Sequence, residues 1–258
     1  MKKQSFKIKK PPLTLKHMIQ QREFLLVVII LAFAIILGFA NSGFWTASNF
    51  KSMSRGLAID GLILIGMAYL LISGVFDISV ASTMALCSYI FTSIVLSGVG
   101  LFWAFLITLA LGGAIGLFNG FLITGPKVNA LIATLATQTI ARGIVLAISQ
   151  GKPVRLTEDF FTQYSTSEIL GIPTIFILFV AIIIVLDLML RKVRFFRQLY
   201  FVGGNPLSAE LTGINVKKVR ITFYILISML AALAGMLSAT RLEGAVPNAY
   251  AGLEMKLI

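Results

Sequence analysis

The sequence predicts an all-α integral membrane protein with about seven transmembrane helices, and three observations lead there. Of 258 residues, 58% are hydrophobic and 12% are charged, where soluble proteins average roughly 45–50% apolar and about 25% charged. The apolar residues fall into runs close to the ~20 residues needed to cross ~30 Å of hydrocarbon. The Lys and Arg residues, which give a formal charge of +12, gather in two segments that flank such runs. Helices are the expected form because each span can then satisfy its own backbone hydrogen bonds.

The seven runs are 24–40, 57–73, 78–97, 101–124, 129–149, 172–190 and 221–240. The connections at 74–77, 98–100 and 125–128 are short, so the helices on either side of each are expected to be antiparallel neighbours. The break at 74–77 admits two readings: a solvated turn, or an interruption between half-helices within the membrane. In the fourth run Gly112, Gly116 and Gly120 recur every four residues on one face, a spacing that lets two helices approach closely in lipid. The final stretch, 241–258, starts what reads as a further helix and stops, so the chain is expected to be a C-terminally truncated copy of a larger helical bundle.

The distribution of Lys and Arg orients the chain. Seven of the 22 lie in an N-terminal arm, residues 1–23, and seven more in the loop 191–220, while the loops after the first and fifth runs carry two each. With the N-terminus inside and six of the seven spans before the loop 191–220, both basic segments face the cytoplasm. Residues 24–258 then form a single transmembrane domain carrying a cytoplasmic loop at 191–220. Within that loop Asn205 is a suitable helix N-cap with Pro206 in the first helical position. Gly213 is suited to end the helix in the left-handed conformation. The expectation is a turn, a short amphipathic helix over 206–212 and a second turn, the form of an element presented to a partner.

Several function classes are excluded. A lone Cys87 leaves no disulfide framework, and His17 is the only histidine, so neither a metal centre nor a Ser-His-Asp triad is available within the spans. No phosphate loop is present: Gly151 and Lys152 are followed by Pro153. No cofactor or metal is expected, and nothing points to nucleic acid. The chain is expected to catalyse nothing itself, so its energy must come from an ion gradient or a partner.

Ionisable and polar groups within hydrocarbon mark solute routes or bundle interiors. Asp60, near the outer end of the second run, and Arg142, about two turns from the outer end of the fifth, fall at similar depth. Two readings stand: they pair across the bundle, or each meets water separately. Asp77 is expected to cap the third helix, either as a plain cap or as the hinge of a broken helix lining a pathway. Ser79 and Asn119 lie close to such a route. Thr134, Thr137 and Gln138 make the fifth helix the most polar and the best candidate to line it. Asp187, near Arg191, is expected to be interfacial.

The segment from Gly203 to Val216, reading Gly-Gly-Asn-Pro-Leu-Ser-Ala-Glu-Leu-Thr-Gly-Ile-Asn-Val, resembles the cytoplasmic loop of bacterial ABC importer permeases of the ribose and branched-chain amino acid class. Five other stretches resemble the sugar branch of that superfamily: 77–82, 118–123, 133–143, 231–235 and 247–254. The resemblance runs from about residue 57 to the last residue, although Ala81 and Ala136 stand where the family often has Gly. It implies a membrane-spanning subunit of an ATP-driven importer in the bacterial inner membrane, moving a sugar or related small polar solute. The loop residues Gly203, Gly204, Asn205, Pro206, Ala209, Glu210, Leu211, Gly213 and Ile214 would then couple to cytoplasmic ATP-binding subunits. A second permease subunit, identical or related, and an extracytoplasmic solute-binding protein complete the implied assembly. The alternative is a secondary transporter driven by protons or sodium, for which Asp60 and Asp77 are the available coupling carboxylates.

Overall fold

A computed structural model describes residues 22–156 and 166–257; most of the N-terminal arm lies outside them. Each of the seven expected spans is a helix. They are α1 (Arg22–Ala40), α2 (Ala47–Ile72), α3 (Val80–Leu96), α4 (Leu101–Thr124), α5 (Ala130–Ser149), α6 (Thr174–Lys192) and, after two short helices, α9 (Val216–Arg241). Five of them, α2, α4, α5, α6 and α9, are long and apolar enough to cross a membrane, while α1 and α3 contribute shorter apolar stretches. The described residues divide into two compact units, one up to Ser52 and one from Met53 on. In the first, α1 is apolar on all sides, and its large side chains from Phe24 to Phe39 are exposed, as expected of a helix whose solvent is lipid.

The second unit is built around α9, which buries residues on several faces and packs against α3 and α4. The glycine row of α4 finds its partner here. A Cβ at Gly112 would meet the Ala232 Cβ at 2.6 Å and the Ser228 carbonyl at 2.7 Å. One at Gly120 would meet the Ile221 Cα at 2.9 Å, and one at Gly116 would collide with the Tyr224 carbonyl. Successive glycines thus ride on successive turns of α9, backbone against backbone. Gly235 does the same for α9 on α3, lying against the Met84 carbonyl. Small residues permit this closeness, and dispersion and backbone contacts then hold the helices where no hydrophobic effect acts between them.

Two bounds differ from expectation. Helix α2 begins ten residues earlier than its apolar run, because 47–56 is a polar helical extension carrying Ser48, Asn49, Lys51 and Arg55, which hydropathy does not register. Asp60 therefore sits in the middle of a long helix, not near its end. The loop 191–220 holds an additional helix, α7 (Arg194–Gly204), ahead of the expected short one, α8 (Pro206–Leu211). Phe196, Leu199 and Val202 line one face of α7 at helical spacing and are buried. The Phe196 ring meets Phe223 of α9 edge-on at 5.1 Å, and Tyr69 of α2 meets Phe223 at 5.6 Å.

The remaining structure is slight. Strand β1 (Val154–Arg155) pairs antiparallel with β4 (Gly244–Ala245), and β2 (Glu168–Ile169) with β3 (Ile172–Pro173). A last helix, α10 (Leu253–Leu257), follows. The loops 73–79, 125–129 and 193–215 share one end of this unit, where a cavity of about 470 Å³ is lined by residues of all three. The β1–β4 pair lies at the other end of α5 and α9.

Candidate functional site

The loop helix α8 is held by the caps the sequence provides. The Asn205 side chain accepts the Ser208 backbone N–H at 3.0 Å, and Pro206 occupies the first turn. At the far end Gly213 has φ +85°. Its N–H donates to the Glu210 carbonyl at 2.9 Å and that of Ile214 to the Ala209 carbonyl at 3.1 Å, the paired closure that a left-handed glycine makes possible. Ala209 is buried and fixes α8 to the structure beneath. On the other face Leu207 and Leu211, one turn apart, are 68% and 82% exposed.

Gly203 and Gly204 are the last turn of α7, not the free turn expected. Gly203 lies so close to the Ile72 carbonyl that a Cβ would overlap that oxygen, and it also faces Gly74. The loop thus rests directly on the α2–α3 connection. The same connection is gripped from α9: Arg220 Nη2 donates to the Ser73 carbonyl at 3.4 Å and the Tyr224 hydroxyl to the Phe76 carbonyl at 2.8 Å.

Four of the expected polar residues come together just beyond it. Asp77 Oδ1 accepts the Ser79 N–H at 2.8 Å and the Ser79 hydroxyl at 2.6 Å. The Asn119 amide, from α4, donates to Asp77 Oδ2 at 3.3 Å and to Ser79 Oγ at 2.9 Å. Its Oδ1 accepts the Thr137 hydroxyl of α5 at 2.5 Å. Asp77, Ser79 and Asn119 are fully buried and Thr137 nearly so. Asp77 was expected to cap α3, but the cap position is Ser79 and the helix starts at Val80. The carboxylate instead closes a turn two residues before Ser79. Thr134 is buried but turns back to the Ala130 carbonyl at 2.7 Å, so it takes no part in the cluster.

The other polar residues of α5 face the 242–257 segment. Gln138 Nε2 donates to Glu254 Oε1 at 2.8 Å. Arg142 Nη1 donates to the Pro247 carbonyl at 2.8 Å and the Ala249 carbonyl at 3.0 Å. Asp60 pairs with Lys256 at 3.8 Å. Of the two readings offered for Asp60 and Arg142, the pair across the bundle is not formed: Lys256 of α10 lies against Asp60, and two backbone carbonyls accept from the guanidinium. Asp187, expected to be interfacial, pairs with Arg191 one turn on at 2.8 Å. Among the described residues no group of three or more His, Cys, Asp or Glu side chains could hold a metal.

Residues 53–258 match the family described as branched-chain amino acid transport system / permease component. This chain belongs to that family. The ribose import permease protein of Haemophilus influenzae is 30% identical over 94% of this permease and 76% of its own length. That of Bacillus subtilis is 34% identical over 87% of this chain and 70% of its own. The L-arabinose transport system permease protein of Escherichia coli is 35% identical over 83% of this chain and 66% of its own. No solved structure matches. The permease is thus a multi-pass membrane protein of a transport family.

Sequence reasoning missed Leu207, Tyr224 and Arg220. Leu207 was legible, since leucines at 207 and 211 in an otherwise polar short helix form an apolar pair at i and i+4. Tyr224 and Arg220 act through side chains that reach a loop almost 150 residues earlier in sequence, which no local pattern reveals.

Proposed function

We propose that this permease is the membrane-spanning subunit of an ATP-driven importer in the bacterial inner membrane. It moves a sugar or related small polar solute that an extracytoplasmic binding protein delivers. The observation that carries this is the similarity to ribose and L-arabinose permeases along most of the chain. In this reading the N-terminus and the loop 191–220 face the cytoplasm. Two ATP-binding subunits dock on the loops of a pair of permease subunits, identical or paralogous.

The geometry of α8 supports docking. It is a short, doubly capped helix, anchored beneath by Ala209, that displays Leu207 and Leu211 away from the chain. Apolar side chains at i and i+4 on one face are the anchors by which a helix lies in a partner's groove. An ion-coupled transporter would instead need a carboxylate free to load a proton or sodium ion. Asp77 already accepts three donors, and Asp60 faces Lys256.

Copurification tests the reading. A tagged permease is expected to retain an ATP-binding protein from its native cells. The double substitution Leu207→Lys, Leu211→Lys is expected to release it while leaving the permease's own thermal unfolding unchanged, because both side chains are exposed. Failure of the unaltered permease to retain any ATP-binding protein would overturn the proposal.

A further inference from the structure

We propose that residues 73–79 are a relay through which the coupling loop moves α5, with Asn119 and Thr137 as positioning residues for transport; this rests on the importer reading above. The segment is seven residues long and is held at both ends. At one end Gly203 sits against the Ile72 carbonyl, with Arg220 on the carbonyl of Ser73 and Tyr224 on that of Phe76. At the other, Asp77 and Ser79 bind Asn119, and Asn119 receives the Thr137 hydroxyl.

Burial makes this chain of contacts stiff. Displacing Asp77 away from Asn119 would leave buried polar groups unpaired, and orphaning them costs more than forming them gains. Only a shift of α5 together with the segment and with Asn119 of α4 keeps every bond of the cluster. A displacement of α7 and α8 by a docked partner is therefore passed on, not absorbed. The far side of α5 carries it further. Gln138 follows Thr137 directly and holds Glu254, and Arg142, one turn on, holds the 247–249 backbone. The element biased at the cytoplasmic end is thus the element that positions the segment after α9.

The test uses the complete importer in proteoliposomes and measures solute taken up per ATP hydrolysed. Thr137→Val removes the donor at nearly constant volume. It is expected to leave partner retention and ATP hydrolysis intact while uptake per ATP falls by about three- to thirty-fold, the range that couplings of this kind span. Thr137→Ser, which keeps the hydroxyl, is expected to restore it, as a purely steric role would not require. If Thr137→Val does not fold, Ser79→Ala serves, since it removes a hydroxyl that bridges Asp77 and Asn119. Gly203→Ala loosens the opposite end, and combining it with Thr137→Val is expected to be no worse than the stronger single change, because both cut one route. Unchanged uptake per ATP in Thr137→Val, or additive losses in the pair, would overturn the relay. An unaltered complex whose ATP hydrolysis drives no uptake would instead remove the importer reading.

Discussion

Asn119 is the residue on which the buried polar cluster turns. Its amide donates to Asp77 and Ser79 and its carbonyl accepts from Thr137, so one side chain joins the α2–α3 connection, α4 and α5. Asn119→Leu keeps the branched shape, at a larger volume, and removes every one of these bonds. The carboxylate keeps its bonds from Ser79, but its second oxygen and the Thr137 hydroxyl lose their partners. Interhelical polar contacts in membranes are individually modest, yet orphaned buried groups are costly, and the expected loss is about 1–3 kcal/mol. It would be read as a lowered midpoint of thermal unfolding in detergent. An unchanged midpoint would mean that the cluster adds nothing to stability, and would remove the cost of orphaning these groups on which the relay rests. The residue types in this cluster were legible from sequence as polar groups near a span break. That Asn119 was the hub was not, since its partners lie 18 to 42 residues away.

At the scale of elements, the crossing of α4 on α9 is set by backbone approach. Gly116→Ala would place a methyl group on the Tyr224 carbonyl, which cannot retreat without bending α9. Gly113, on a neighbouring face, would place its Cβ at 3.6 Å from the flexible Met229 side chain, an ordinary contact. Gly116→Ala is therefore expected to lower the unfolding midpoint clearly, and Gly113→Ala to leave it within experimental error; equal effects would contradict the packing. The glycine row was visible in the sequence as a close-contact face, but its partner was not, because spacing identifies a face and not what it meets. Helix α7 was missed for a related reason. Its buried residues Phe196, Leu199 and Val202 lie on one face of an eleven-residue stretch that follows Arg191 and Lys192 and carries Arg194 and Arg197, too short to register as a span.

At the scale of the whole molecule, the sequence argument for orientation rests on the basic segments, and the arm that carries half of that argument lies largely outside the described residues. The structure adds that 73–79, 125–129 and 193–215 share one end of the second unit. If the N-terminus is cytoplasmic, they all are. In a Cys87→Ala background, Ser208→Cys is expected to react with a membrane-impermeant thiol reagent only from the cytoplasmic side, and Gly98→Cys only from outside. Reversed labelling would invert the topology and separate α8 from any cytoplasmic partner.

By itself the sequence determined the class of the protein, the seven apolar helices and the short capped helix of the loop, because hydropathy, small-residue spacing and capping chemistry are local. It also determined which polar residues would be costly in hydrocarbon, and hence worth following. Only the tertiary structure decided their partners. It gave Asp60 to Lys256, Arg142 to two backbone carbonyls and Asp77 to Asn119, and it seated Gly203 on the Ile72 carbonyl. Such choices depend on distances between helices far apart in the chain. The charge or hydrogen-bonding capacity of a side chain fixes only that it must find a partner, while the packing of the bundle fixes which partner arrives first.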